Sequence, residues 1–523
     1  MAPSFATLDA LLAWLRERGA TGLCADSRQV RPGDAFVAWP GAAVDARRFV
    51  RAALEAGAVA AVVEAQGLAD WLRANPDAAF DIAPTDAPSS AARVAAYAGL
   101  RAAAGPLASA FWHTPSRALD LIAVTGTNGK TSTAWWTAQG LQALGVGAGL
   151  IGTLGIGQPG SALVPTGLTT PDPVTLQRAL RAFADDGLQA AVLEASSIGI
   201  EEGRLDGTRV HTALFTNLTQ DHLDYHGSME AYWAAKRRLF DWPGLQVAVL
   251  CVDDPYGRES AQALAARCAD GGLDLWTYAT DPAATGARLR LLAREWLPHG
   301  TRFTVAEGRV QTTFELPVVG DYNLANLLAA MAVWRSRGAP WPAVADASRA
   351  LSPVPGRMQP AWGAADGPAE DLPLVLVDYA HTPDAVEKAL QALRPLAARR
   401  GGQLWCVLGC GGERDPSKRP RMAAAAEQGA DRVLLTSDNP RGEDPLQILA
   451  QMRAGLAVPA RAWVEPDRAV AIERAVREAQ AADVVLLAGK GHEDYQEVAG
   501  VRRPFSDLQQ ARAALRRRRG ASG

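Results

Sequence analysis

A single junction restricts the fold of this chain more than any other feature. The apolar run Leu119 to Val124 passes directly into Thr125-Gly126-Thr127-Asn128-Gly129-Lys130-Thr131-Ser132, and a helical stretch follows from about Thr131 to Leu144. A buried strand that turns through glycines into a helix belongs to a parallel sheet flanked by helices. The glycines let the backbone curl so that N–H groups face phosphate oxygens, and a helix N-terminus favours an anion. Lys130 is placed to reach terminal phosphates, and the Thr131 hydroxyl to bind Mg²⁺. The strict phosphate-loop pattern has Gly five residues before Gly129, where this chain has Val124.

Further apolar runs, Ala190 to Glu194, Ala213 to Asn217 and Val247 to Val252, continue the alternation of strand and helix. Upstream, Ala-rich helical stretches mix with short strands such as Ala58 to Glu64, and His113-Thr114-Pro115-Ser116 reads as a linker. Downstream of the turn-rich segment Ser352-Pro353-Val354-Pro355-Gly356 come four short strands, Leu374 to Val377, Leu404 to Leu408, Val433 to Thr436 and Val484 to Leu487. Each passes at once into a polar segment. Ligands of open α/β sheets bind beyond the carboxyl ends of strands, so these loops point to one converging site. The 523 residues fit two to four domains, and the expected division is 1–114, 115–351 and 352–523.

Composition narrows the classes. An apolar fraction of 48% and a charged fraction of 21% describe an ordinary globular protein, and a net charge of -3 argues against a general nucleic-acid binder. Cys24, Cys251, Cys268, Cys406 and Cys410 are scattered with no CxxC pair, which argues against structural zinc and fits reduced thiols. Leu8, Leu11, Leu12 and Leu15 share one helix face broken by charges, the pattern of an amphipathic helix and not of a signal peptide. No run of about twenty uncharged apolar residues is present, so no membrane insertion and a cytoplasmic location are expected.

A triphosphate site needs metal ligands nearby. Glu194 ends a strand beside the phosphate loop, where a carboxylate can hold Mg²⁺. In Thr216-Asn217-Leu218-Thr219-Gln220-Asp221-His222-Leu223-Asp224-Tyr225-His226-Gly227, two of the seven histidines fall among two aspartates directly after a strand, as in a functional loop. Lys236 follows Tyr232-Trp233-Ala234-Ala235 on a helix, and its spacing alone gives it no role.

In this order the strings TGTNGKTS, LEASS, TNLTQDHLDYHG and YWAAK resemble the Mur ligase family. The resemblance implies an α/β fold of three domains: an N-terminal uridine-binding α/β domain, a central P-loop ATPase-like parallel-sheet domain and a C-terminal Rossmann-like α/β domain. It implies ATP as a substrate held by Gly126, Thr127, Asn128, Gly129, Lys130, Thr131 and Ser132. It places one Mg²⁺ on Thr131 and Glu194 and a second on His222 and Lys236, the lysine carrying CO₂ as N6-carboxylysine. Lys130, Glu194, His222 and Lys236 take the catalytic roles. CO₂ needs a neutral amine, which a nearby metal and partial burial provide. Gly320-Asp321-Tyr322-Asn323-Leu324-Ala325-Asn326 implies adenine contacts from Asn323 and Asn326. Pro355-Gly356-Arg357-Met358 implies a ribose contact from Arg357, and Asp378-Tyr379-Ala380-His381-Thr382-Pro383 a nucleotide contact from Asp378.

Other segments imply the acceptor and the amino acid. Asp26-Ser27-Arg28, Pro32-Gly33-Asp34-Ala35-Phe36-Val37-Ala38, Asp45 and Phe49 resemble the family's uridine-binding domain, with Ser27 carried over and Ala46 where Gly is usual. Thr169-Thr170-Pro171, Ser196, Glu202 and Arg204 resemble the residues that hold the muramoyl peptide, with Ile198 where His is common and Glu202 where Gln is common. Asp438-Asn439-Pro440-Arg441 resembles the motif of members that add meso-2,6-diaminopimelate. A guanidinium offers paired bonds to that molecule's second carboxylate and would be repelled by the ammonium of lysine. Arg414, Gly489 and Glu493 complete this set, Arg414 for a carboxylate and Glu493 for an ammonium. The implied reaction joins meso-2,6-diaminopimelate to the D-Glu carboxylate of UDP-N-acetylmuramoyl-L-alanyl-D-glutamate through an acyl phosphate, with release of ADP. Closure of the third domain over the central one, a monomer, no nucleic-acid partner, and His381 as a candidate proton acceptor are further expectations. The alternatives are a lysine-adding member, another ligase of the family, a P-loop ATPase or nucleotide-binding switch that makes no bond and would release phosphate without either ligand, and a folylpolyglutamate synthase. The last would lack the Asp26 to Phe49 region and the Asp438 to Arg441 motif.

Overall fold

The alternating apolar runs become three layered α/β regions in a computed structural model that describes residues 4–41, 44–78, 80, 92–298, 300–362 and 371–521. By compactness the chain falls into two units. One holds the chain up to Thr277 with Ser336–Gly338, and the other holds Tyr278–Arg335 and the chain from Ala339.

The first unit opens with the amphipathic helix Leu8–Glu17, capped by the Thr7 hydroxyl on the Ala10 amide and burying Leu11, Leu12 and Leu15 as the spacing requires. Four parallel strands follow in the order β1 (Gly22–Cys24), β2 (Asp34–Ala38), β3 (Ala60–Glu64) and β4 (Val94–Tyr97). The expected linker is a short one: His113 and Thr114 take left-handed backbone before a single 3-10 turn at Pro115–Arg117.

The phosphate-loop strand β5 (Asp120–Thr125) is central in the second sheet of this unit. Its strands are β6 (Ala148–Gly152), β7 (Gly155–Gly157), β8 (Ala190–Glu194), β9 (Thr212–Phe215) and β10 (Val247–Cys251), ordered β7-β6-β8-β5-β9-β10. All pairings are parallel except β6 with β7. Leu121 and Ala123 of β5 and Leu193 of β8 pack with Leu176, Leu180 and Phe183 of the helix Pro173–Asp185. Each such large aliphatic side chain contributes about 1.5–3 kcal/mol on full burial. The middle of the sheet is therefore rigid, and its strand ends hold their loops in place.

The second unit adds what the apolar runs did not announce. After β11 (Asp274–Ala279) the chain makes an antiparallel meander of β12 (Leu289–Leu297), β13 (Gly300–Glu307) and β14 (Val310–Leu316). The helix Asp321–Ser336 comes next. Then β15 (Gln359–Pro360), β16 (Leu374–Asp378), β17 (Leu404–Cys410), β18 (Arg432–Ser437), β19 (Trp463–Val464) and β20 (Val484–Ala488) form a sheet ordered β15-β16-β20-β17-β18-β19. Only β15 is antiparallel. A hairpin of β21 (Tyr495–Val498) and β22 (Val501–Pro504) precedes the helix Asp507–Ala521. The four anticipated strands are all present and parallel, so their carboxyl-end loops emerge on one edge. Among the described residues no helix is long and apolar enough to cross a membrane.

Candidate active site

The phosphate loop is stitched to the loop that leaves β9. Thr127 N–H donates to the Asn217 carbonyl at 2.8 Å, Asn128 N–H to Asn217 Oδ1 at 3.0 Å, and Thr216 Oγ1 to the Asn128 carbonyl at 2.6 Å. The two strands leave the sheet so close together that a Cβ on Gly126, at φ +144°, would lie 1.9 Å from Thr216 Oγ1. Only glycine fits there. The amides of Thr127 and Asn128 are thus bonded to Asn217, and the helix Lys130–Ala143 begins directly after Gly129. The Lys130 ammonium folds over the loop and donates to the carbonyls of Gly126 at 2.9 Å and Thr127 at 2.8 Å.

Glu194, at the end of β8 and 1% exposed, is the hub of this region. Its Oε2 accepts from Thr131 Oγ1 at 2.9 Å and Thr153 Oγ1 at 3.2 Å, and its Oε1 from the Thr153 amide at 2.8 Å. Thr153 Oγ1 also lies 3.1 Å from Thr169 Oγ1. Thr170 Oγ1 donates to the Glu194 carbonyl at 2.7 Å and accepts from the Ser196 amide at 3.0 Å. Arg204 donates to the Thr170 carbonyl at 2.7 Å and is paired with Glu202 at 2.5 Å. The anticipated residues Thr169, Thr170, Ser196, Glu202 and Arg204 therefore form one bonded group with Glu194. Ser27 sits apart from that network, in the turn after β1. Even so, the helix that follows Thr170 brings Asp172 and Arg178 within electrostatic reach of Cys24 on the same strand.

Lys236, on the helix Met229–Arg237, is 1% exposed and donates to the Gly126 carbonyl at 2.7 Å, the acceptor it shares with Lys130. Burial, followed by the neighbouring Lys130 charge, holds its amine well below the ordinary lysine range. The ammonium lies 4.4 Å from the Tyr232 ring centre, and the His222 ring lies 6.1 Å from the same ring. Tyr232 Oη is 3.1 Å from Thr127 Oγ1, so this tyrosine bridges the loop, His222 and Lys236. His222 has left-handed backbone at φ +51°, a strained conformation for a side chain of its size. Burial is the first cause holding its imidazole below the usual value.

Among the described residues no group of three or more His, Cys, Asp or Glu side chains is placed to hold a metal ion. The Thr131 hydroxyl and Glu194 carboxylate converge at 2.9 Å and fit a hard cation that takes its other ligands from phosphate and water. His222 and Lys236, gathered on Tyr232, fit a second only once the lysine bears a carboxylate.

In the second unit, Asn323 and Asn326 are buried at the start of the helix Asp321–Ser336, Asn323 Nδ2 donating to the Val319 carbonyl at 2.9 Å. Arg357 stacks 4.6 Å over Tyr379, and Asp378 Oδ2 accepts from the Met358 amide at 2.8 Å, which joins the two expected nucleotide residues. Burial raises the Asp378 carboxyl.

The loops after β17, β18 and β20 converge as the strand ends foretold. Asp438, Asn439 and Pro440 are buried, and Gly489 lies against the Asp438 carboxylate. Asn439 Nδ2 donates to Glu493 Oε2 at 2.8 Å. Arg441 has left-handed backbone at φ +53°, held by its amide on the Glu497 carbonyl and by the Ala499 amide on its own carbonyl. Its half-buried guanidinium donates to the Gly412 carbonyl at 2.6 Å. A Cβ on Gly411 would lie 2.9 Å from Arg441 Nη1 and 3.7 Å from Arg414 Cγ, so both arginines flank this glycine. Arg414 is exposed, whereas Arg441 is not.

Sequence reasoning overlooked several residues. Tyr232 was detectable, because it stands four residues before Lys236 on one helix face. Thr153 carries no pattern. Arg419 is 2% exposed, pairs with Glu443 at 2.8 Å and donates to the Gly411 carbonyl at 3.2 Å, bracing the Arg414 loop. Arg468 is fully buried against Asp507 at 2.6 Å and donates to the carbonyls of Ser437 at 3.4 Å and Ala488 at 3.0 Å, the last residues of β18 and β20. Lys490, next to the anticipated Gly489, is fully buried.

The same segments match known proteins. Residues 20–103 match the model described as "Mur ligase family, catalytic domain", 124–334 the "Mur ligase middle domain", and 356–491 the "Mur ligase, glutamate ligase domain". The chain is 50% identical over 525 residues to a protein of Acidovorax sp. (strain JS42) named UDP-N-acetylmuramoyl-L-alanyl-D-glutamate--2,6-diaminopimelate ligase, covering 99% of this chain and 98% of that one. A protein of the same name from Ralstonia nicotianae is 45% identical over 98% of this chain and 97% of its own. A solved structure titled with that name shares 35% identity, covers 95% of each chain and superposes with a TM-score of 0.64. The MurF ligase of Thermotoga maritima in complex with ADP, at 17% identity, 97% and 99% coverage and a TM-score of 0.63, shares the fold. With the phosphate loop, Glu194 and Lys236 inside one matched segment, the loops after β17 and β18 inside another, and half of all residues shared with a relative over nearly its whole length, the chain belongs to the Mur ligase family.

Proposed function

We propose that this chain uses ATP to join meso-2,6-diaminopimelate to the D-Glu carboxylate of UDP-N-acetylmuramoyl-L-alanyl-D-glutamate. The near full-length likeness to ligases named for that reaction supports the reading. The observation that carries the choice of amino acid is the set of opposite charges at one sheet edge. Arg441 and Arg414 flank Gly411, while Glu493 is bonded to Asn439 from the neighbouring loop. A zwitterionic end with both a carboxylate and an ammonium suits that pattern, and the side chain of lysine offers only the second.

The proposed division of labour follows the domains expected at 1–114, 115–351 and 352–523. Ser27 contacts the uridine part, and Thr169, Thr170, Ser196, Glu202 and Arg204 the muramoyl peptide. Lys130 and the start of its helix bind the triphosphate, and Asn323, Asn326, Arg357 and Asp378 are nucleotide contacts. Thr131 with Glu194, and His222 with a carboxylated Lys236, would hold Mg²⁺, which when bound supplies positive charge against the triphosphate. Burial holds the Lys236 amine well below the ordinary lysine range and so favours the neutral form, whose nitrogen attacks the carbon of CO₂ with loss of a proton.

The D-Glu carboxylate oxygen attacks the γ-phosphorus and ADP leaves, giving an acyl phosphate. Lys130 offsets charge on the transferred group. The amine of diaminopimelate then attacks the acyl carbon, phosphate departs, and one proton is lost. His381 Nδ1 donates to the Tyr379 carbonyl, which leaves Nε2 able to accept that proton. Phosphate release measured with each substrate omitted, and product masses from a mixture of amino acids, test the reading. Turnover is expected only with both ligands present, and a tripeptide product carrying diaminopimelate. Equal turnover with lysine would overturn the specificity. Phosphate release without either ligand would overturn the ligase.

A further inference from the structure

Lys490 follows Gly489 in the loop that leaves β20, with none of its surface exposed. Its ammonium donates to Asn439 Oδ1 at 3.1 Å and Glu493 Oε2 at 3.0 Å, and lies 3.9 Å from Asp438 Oδ1. One cation therefore touches or faces three of the side chains assigned above to the amino acid. The arrangement also settles their orientation. Asn439 Oδ1 accepts from Lys490 and from the Glu497 amide at 3.0 Å, which fixes the amide so that Nδ2 faces Glu493. Glu493 Oε2 accepts from Lys490 and from Asn439, and among the described residues no bond falls on Oε1. The carboxylate is thus held on one oxygen and offered by the other. A side chain restrained on both faces loses little freedom when a ligand binds.

We propose that Lys490 is the positioning residue of the amino-acid site: by fixing Asn439 and Glu493 from beneath, it presents Glu493 Oε1 to the ammonium of the incoming diamino acid. The proposal rests on the diaminopimelate reading and adds to it the atom that takes the ammonium and the group that aims it. Lys490 does not touch the substrate, so its effect falls on substrate affinity and passes through Glu493.

Steady-state kinetics of the full chain, with ATP, UDP-muramoyl dipeptide and diaminopimelate each varied, test it. In Lys490→Met the KM for diaminopimelate is expected to rise at least tenfold, with the other two KM values within twofold and kcat within threefold of the parent. In an E493Q background the same substitution is expected to change the diaminopimelate KM by less than threefold, because the group it acts through has lost its charge. Lys490→Gln, which keeps a shorter donor, is expected to fall between parent and K490M and carries the test if the methionine variant fails to fold. An unchanged diaminopimelate KM, an equal rise in all three KM values, or full multiplication of the two effects in the double variant would overturn the proposal. Failure of the parent chain to use diaminopimelate would overturn the reading beneath it instead, and shows in the unsubstituted control.

Discussion

Lys236 and Lys490 are both lysines with 1% or less of their surface exposed, yet their surroundings differ in sign. Lys236 donates to a backbone carbonyl and faces an aromatic ring, and among the described residues no carboxylate lies within ion-pair distance of it. Lys490 has Glu493 at 3.0 Å and Asp438 at 3.9 Å. A buried ammonium without a counter-ion is pushed toward the neutral amine, which is a nucleophile; one with counter-ions remains a fixed charge and a scaffold. Around the phosphate loop Lys236 and Lys130 share a backbone carbonyl, whereas around the third-sheet loops the buried cation is paired with carboxylates of its own chain.

The contrast can be broken most forcefully at Lys236. In Lys236→Ala, phosphate release is expected to fall by roughly a thousandfold, with partial recovery on adding a short carboxylic acid. Undiminished activity would remove the carboxylated lysine from the reaction. The balanced side is tested next by Asp507→Asn, which leaves the buried Arg468 guanidinium without its counter-ion. A loss of about 3 kcal/mol in denaturant unfolding is expected, since breaking a buried pair strands the remaining charge. Arg441→Lys sharpens the comparison by keeping charge and losing the planar fork. Its KM for diaminopimelate is expected to rise roughly tenfold with the ATP KM unchanged. The smallest effect concerns His492, whose imidazole is held at about 4 by burial and then by Arg357. The folded state refuses a proton that the unfolded chain accepts near pH 6.5, so stability present above that pH is lost as pH falls toward 4. Melting curves are expected to show a decline on the order of 1 kcal/mol across that window, discounted for partial exposure, and a flatter slope in His492→Gln.

Most of the central parallel strands were legible because full burial writes itself as unbroken apolar runs, although β4 and the equally buried β6, rich in Ala and Gly, were not read. Ala190 to Glu194 was read with its observed ends, and the other runs, including Leu374 to Val377 and Val484 to Leu487, to within a residue or two. The meander at 289–316 was not, because one face meets water: Arg294, Glu295 and Arg302 interrupt the pattern there. Residues at strand ends, such as Glu194 and Asp438, stood out against their apolar neighbours. Lys236 became visible only through resemblance, since a helical lysine looks the same whether it is buried or solvated. Lys490, Arg468 and Thr153 went unseen because what defines them is contact across distant segments, which spacing along the chain does not record.

Arg468 reaches the ends of both β18 and β20 while its counter-ion stands on the helix Asp507–Ala521. During synthesis the guanidinium and this aspartate meet only after Asp507 has left the ribosome, so the ends of β18 and β20 are expected to be among the last parts of their sheet to settle. A chain halted before that aspartate is expected to keep β5 and its loop while those two strand ends exchange their amide hydrogens faster.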